Sequence, residues 1–206
     1  LCAQRRHRSP VTERVMASCQ QFSGILGGTM SRDHAYRFWQ LGCLLERADM
    51  TTRVLDVGAG TLMASSTPSG HPPADRSPYE DVRWLGVLRA LAAHHMYHRS
   101  TGCSVSGAGV VDFLLQDPAF PRSVRHCTAQ MEQLLAELPD RPEVGAAIAS
   151  LDRVTARLSA PSDPAVLHRH VAQLQRSLHR VHTAVAEAYF ASAATPAPRH
   201  AAAAGT

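Results

Sequence analysis

Hydrophobic positions recur every three or four residues along almost the whole chain, the spacing of amphipathic helices and not the alternation of strands. Val15, Cys19, Phe22 and Ile25 or Leu26 mark a first short helix from Val11 to about Ile25, ending in the turn "GILGGT". Ser31 or Asp33 can cap a second, which runs unbroken by proline from Ala35 through Val57. A third is expected to start after Ser77-Pro78 and to pass through Trp84, Leu88, Leu91 and His95. Shorter ones cover Val110–Leu115, the stretch from a Ser123 cap to Leu138, and Glu143–Leu158. The last has the clearest pattern: Leu167, Val171, Leu174, Leu178, Val181, Val185 and Ala188 keep a seven-residue alternation that faces a neighbouring helix. Between the second and third helices lies the Pro- and Ser-rich "SSTPSGHPPADRSP", read as a mobile loop. Residues 191–206 read as a disordered low-complexity tail. The expectation is an all-α multi-helix bundle, a single domain over 1–190, with a long central helix and a long C-terminal one.

One stretch argues otherwise. "RVLDVGAGT" could be a buried strand ending in an acid and followed by Gly-x-Gly, the opening of an S-adenosylmethionine site. That fold needs further strands alternating with helices. Here a helical run, "LLERADMTT", precedes the motif and a Pro-rich loop follows it. The stretch is therefore read as a helix end, with Gly58 and Gly60 fraying it, each at about 1 kcal/mol. A methyltransferase stays as the most distant alternative.

Projected at about 100° per residue, the central helix carries Phe38, Leu41, Leu45, Thr52 and Leu55 on one side. Gly42, Glu46, Asp49, Arg53 and Asp56 form a neighbouring stripe. A helix apolar on most sides is central, so some of these charges must lie buried or in a cleft. Asp49 and Arg53 are spaced for an ion pair in the favourable acid-first order. The stripe either fixes helix register or forms a polar groove for a ligand.

Composition narrows the picture. The chain is 45% hydrophobic and only 5% aromatic, which suits helix-on-helix packing. Every basic side chain is arginine, and these are scattered, so a net charge of +4 does not make a nucleic-acid face. No apolar run is long enough to span a bilayer. Five cysteines without CxxC spacing read as reduced, mostly core residues of a cytoplasmic protein. His94 and His98 share one helix face at metal-ligand spacing, but no third ligand is evident, and half-buried or surface histidines are expected. His168, His170, His179 and His182 read as a solvated face. "GILGGT" could cradle phosphate with Gly27, Gly28 and Thr29, but lacks a P-loop lysine and reads better as a tight turn. Cys43 has no histidine at helical spacing to activate it. No nucleophile with base and oxyanion hole can be assembled, and no cofactor or metal is expected.

The run "GGTMSRDHAYRFWQLGCLLERADMTTRVLDV", with "RWLGVLRAL", "VVDFLLQDPAFPRSVRHC" and the final "VAEAYF", resembles the alpha-E family, a bacterial all-helical family named after its Glu-Arg pair. The resemblance covers about Glu13 to Phe190. It makes Glu46 and Arg47 the signature pair, with Asp49, Arg53 and Asp56 in the same segment, and Pro121, Arg122 and Ser123 in a second recurrent turn. Arg122 and Ser123 are then candidates to contact a partner or an anion, as is Arg47. Family members usually have a preceding half with its own Glu-Arg helix, so this chain is expected to be a C-terminal half. The resemblance also implies association with a circularly permuted ATP-grasp protein, sometimes with a transglutaminase-like one. From that follows a non-catalytic accessory or scaffold role in a peptide-ligating or peptide-modifying system. The alternative is an enzyme component binding a ligand or peptide in the Glu46/Asp49/Arg53 groove.

Overall fold

A computed structural model describes residues 9–65, 78–158 and 163–191. The described residues form eight α-helices and no strand: α1 (Pro10–Thr29), α2 (His34–Ser65), α3 (Pro78–Ala90), α4 (His94–Thr101), α5 (Gly107–Gln116), α6 (Val124–Leu135), α7 (Pro142–Arg157) and α8 (Pro164–Phe190). The all-α expectation holds. The Pro-rich segment and the C-terminal tail lie largely outside the described residues.

The chain divides into two compact units, residues 1–39 and 40–206. In the first, α1 continues through Gly27 and Gly28 to Thr29, whose hydroxyl donates to the Ile25 carbonyl at 2.7 Å. "GILGGT" is therefore the C-terminal end of a helix, and its backbone N–H groups do not stand free to cradle phosphate. Asp33 then caps α2, its Oδ1 accepting from the Tyr36 N–H at 3.1 Å. The Arg32 guanidinium lies 3.9 Å from the centre of the Tyr36 ring.

In the second unit the sequence signals at helix starts are used as written. Ser106, Ser123 and Asp163 each accept from a backbone N–H of the helix they precede, α5, α6 and α8. Proline opens α7 and α8, where its missing N–H costs nothing. α8 lies along α7, and α6 along α7, with α5 touching α3, α4, α6 and α7. The predicted seam of α8 is the buried one: Leu167, Val171, Leu174, Leu178, Val181 and Val185 are all in the core. Each such side chain contributes about 1.5–3 kcal/mol of transfer free energy.

Besides the expected "GILGGT" turn, two further expectations fail. The third helix does not run on to His95. It ends at Ala90, where the Ala93 N–H bonds to the Leu88 carbonyl at 2.7 Å and the Ala92 N–H to that of Arg89 at 3.1 Å. That is a Schellman stop, and it places Ala92 in the left-handed region at φ 52°. Glycine normally signals this stop; alanine hides it.

The second failure concerns "RVLDVGAGT". α2 neither becomes a strand there nor ends there, but runs on to Ser65. Leu55 and Ala59 are fully buried. A Cβ on Gly58 would stand 2.9 Å from Val87 Cγ2 and 3.7 Å from the Trp84 ring. Gly58 thus brings α3 close against α2, and the methyltransferase reading falls with the missing strand.

Candidate functional site

The central helix divides its signature residues between two tasks. On one side, Arg47 Nη1 donates a long hydrogen bond of 3.4 Å to the Pro121 carbonyl. Thr51, fully buried, sends its Oγ1–H toward the Arg122 carbonyl at 2.8 Å and toward Arg47's own carbonyl at 3.0 Å. The "LERADMT" run and the "DPAFPRS" corner between α5 and α6 are therefore held together directly. The corner itself is stiff. Asp117 Oδ1 accepts from the N–H groups of Ala119 and Phe120 at 2.8 and 2.7 Å, and His126 Nδ1 meets the Pro118 carbonyl at 2.8 Å.

Ser123 belongs to this frame and is fully buried. Its Oγ accepts from the His126 N–H at 3.1 Å and donates to the Asp117 carbonyl. Both functions of the hydroxyl are used inside the fold, so it is not presented to an anion or partner. The Arg122 side chain is exposed; only its carbonyl serves the frame. Cys127 completes the corner, its thiol near the Pro121 carbonyl at 3.5 Å. Burial pushes that thiol up to about 11 against the pull of Arg47 and Arg122. The half-buried Cys43 thiol is also raised by burial, with Arg47 opposing. Cys19 and Cys103 are exposed, so the cysteines are not mostly core; all four described ones are free.

On the other side, Glu46, Asp49 and Arg53 line a groove that α8 closes with Gln175, Arg176, His179, Arg180 and His182. Leu45, Ala172 and Leu178 contribute apolar surface to it, and the cavity measures about 720 Å³. Arg53 Nε bonds Asp49 Oδ2 at 2.5 Å along the helix, as the spacing predicts. That hydrogen bond, then the Asp49 charge, raise the Arg53 guanidinium above its ordinary value. Glu46 is exposed and has no hydrogen bond or ion pair among the described residues. Asp56, one turn beyond, leaves the stripe to pair with His168 of α8 at 2.5 Å. For Asp56 the partner is thus a histidine of another helix and not an arginine of its own.

Sequence spacing alone does not mark the α8 wall as part of a site. His179 and His182, whose rings stack at 6.4 Å, are exposed as the solvated-face reading expects, yet they border the groove. A stripe of Arg176, His179 and Arg180, beside the apolar seam, is the signal that could have found them. Elsewhere, His94 Nε2 and His98 Nε2 stand 3.2 Å apart. Desolvation, then the charges of His98, His95 and Arg89, lower the His94 imidazole below its ordinary value. Among the described residues no group of three metal-ligating side chains occurs, and no helix is long and apolar enough to cross a membrane.

Comparison with known proteins bears on the same segments. An uncharacterized protein of Mycobacterium tuberculosis and one of Mycobacterium bovis are each 28% identical over 128 residues, 62% of this chain. The aligned segment spans 13% of the length of these curated relatives. No solved structure matches significantly. The model of the alpha-E domain, described as a predicted alpha-helical domain with a conserved ER motif, matches residues 2–190. The Glu-Arg dipeptide stands at Glu46–Arg47, between groove and frame, and again at Glu13–Arg14 in α1. With its model matched over nearly the whole chain, this protein belongs to the alpha-E family.

Proposed function

We propose that this domain is a helical accessory module of a circularly permuted ATP-grasp, peptide-ligase-like system, and that it serves the system by binding and not by bond-making. One observation carries the reading: the signature dipeptide is split. Arg47 ties α2 to the α5–α6 corner, while Glu46 is held out into the groove with no partner among the described residues. A rigid frame presenting a charged groove suits the presentation of a substrate or partner. The raised Cys43 and Cys127 thiols are poor nucleophiles, which favours binding over covalent chemistry. The far greater length of the matched relatives fits a module that works beside other domains. Free, exposed Cys19 and Cys103 suit a reducing compartment, and we place the protein in the cytoplasm.

The test is capture of a circularly permuted ATP-grasp protein by the full chain, compared with Glu46→Gln and Arg176→Gln. Both side chains are exposed, so melting should not change. Capture should weaken roughly ten-fold, the effect of losing one charge-assisted contact. Equal capture by wild type and both variants, or none by any of them, refutes the proposal. Arg47→Ala is the less informative variant, because it loosens the frame.

A further inference from the structure

We infer that the α2–α8 groove binds a short peptide with free ends, its ammonium held by Glu46 and Asp49 and its carboxylate by Arg176 with His179 or Arg180. This assignment rests on the groove's binding role proposed above and names the chemistry of its occupant.

The α2 wall of the cavity carries the carboxylates of Glu46 and Asp49, the latter paired with Arg53 of the same wall, so that Glu46 is its uncompensated charge. The α8 wall carries the guanidinium groups of Arg176 and Arg180 with the imidazoles of His179 and His182. Yet no ion pair crosses it among the described residues: Asp49 pairs with Arg53 on its own helix, and Glu46, Arg176 and Arg180 have no partner. A purely structural polar network would have been expected to close, as the hydrogen bond between Asp56 and His168 does one turn further on. Here the walls stay apart around about 720 Å³, within the roughly 300–1,000 Å³ usual for small-ligand sites.

The arrangement also selects. A ligand carrying one charge sign would meet one favourable wall and one repulsive one. A polyanion such as nucleic acid would face Glu46; a polyamine would face Arg176 and Arg180 as well as Arg53. Only a molecule with both signs, held apart by a spacer, satisfies the two walls together, and each end then gains a charge-assisted hydrogen bond. The apolar surface of Leu45, Ala172 and Leu178 suits a spacer with aliphatic side chains. A peptide of about three residues spans roughly 10 Å when extended, and so suits a cavity of about 720 Å³.

The probe is trialanine with free ends, titrated into the isotopically labelled full chain at low ionic strength and followed by amide NMR. N-acetyl-trialanine and trialanine amide, each missing one charge, are the comparison ligands. Saturable shifts confined to α2 and α8 are expected for the free tripeptide, and roughly ten-fold weaker binding for either capped form. Glu46→Gln should weaken the free tripeptide but leave N-acetyl-trialanine unaffected, and Arg176→Gln should do the converse with trialanine amide. No saturable shift at millimolar trialanine, or equal binding of free and capped forms, overturns the inference. If trialanine fails while the two variants still weaken capture of the ATP-grasp protein, the groove is a protein-docking surface and only the peptide assignment is lost. If trialanine binds while capture is unaffected, the accessory proposal falls and the peptide site stands.

Discussion

Replacing Ser123 by alanine tests whether the "PRS" corner is frame or contact surface. The hydroxyl makes two hydrogen bonds in a fully buried position, accepting from the His126 N–H and donating to the Asp117 carbonyl. Loss of the cap alone costs about 1 kcal/mol. The Asp117 carbonyl, left without its donor, adds about 1–2 kcal/mol of desolvation. The sum, about 2–3 kcal/mol, corresponds to a fall in Tm of roughly 4–12 °C for a chain of this size. Urea unfolding followed by circular dichroism measures it directly. Ser100→Ala is the control, because its hydroxyl reaches the same residue, Asp117 Oδ2 at 2.8 Å, from an exposed position. That variant should change stability by less than about 0.5 kcal/mol. If Ser123→Ala were as mild as the control, the corner would not depend on this side chain and the assignment of Ser123 to the frame would be wrong.

Further predictions concern the helix stop, a tight contact and a thiol. Ala92→Gly should stabilise the protein by about 0.5–1 kcal/mol in the same urea assay: relief of left-handed strain, about 1–2 kcal/mol, exceeds the added unfolded-state entropy. The methyl it removes is exposed, so a destabilised variant would refute the Schellman assignment. Gly107→Ala should destabilise by about 1–2 kcal/mol, because a Cβ there would stand 2.5 Å from Trp84 Nε1; unchanged Trp fluorescence and Tm would contradict the contact. Cys127, raised to about 11 in the fold, makes stability depend on alkaline pH. The unfolded thiol loses its proton first, so the contribution is fully present below about pH 9 and is lost as pH rises toward 11, on the order of 2 kcal/mol. The chain has no lysine to titrate in that window. A Cys127→Ala variant should show a flatter stability profile between pH 9 and 11, and an identical slope would refute the linkage.

What can be read from the chain depends on whether the signal is local. The α8 seam and the caps at Asp33 and Ser123 are set by side chains within a turn or two of where they act, and they appear where expected. The break at Ala92 is invisible in the sequence because its stabilising bonds are backbone ones and the residue lacks the glycine signature. Gly58 misleads for the opposite reason: a glycine that locally weakens a helix is kept there by a neighbour, α3, that sequence spacing cannot show. For the site, the α2 stripe of Glu46, Asp49 and Arg53 is legible from helical periodicity. Its complement is not, since Arg176 and His179 stand some 130 positions away in the chain, and on their own helix they look like any solvated face. The Arg47 and Thr51 bonds to the corner are equally hidden, because their acceptors are carbonyls, which carry no residue identity.

Thr51 has one hydroxyl proton and two carbonyls within its reach, that of Arg122 across the seam and that of Arg47 one turn back in its own helix. Were the Arg122 carbonyl withdrawn, the proton could swing to the Arg47 carbonyl, so the buried threonine would keep a hydrogen bond. The joint is therefore doubly provided for: one hydroxyl has an acceptor on either side of it. In hydrogen-exchange terms, amides at this buried joint should be protected like those of the core, and not exchange as those of the exposed groove wall do.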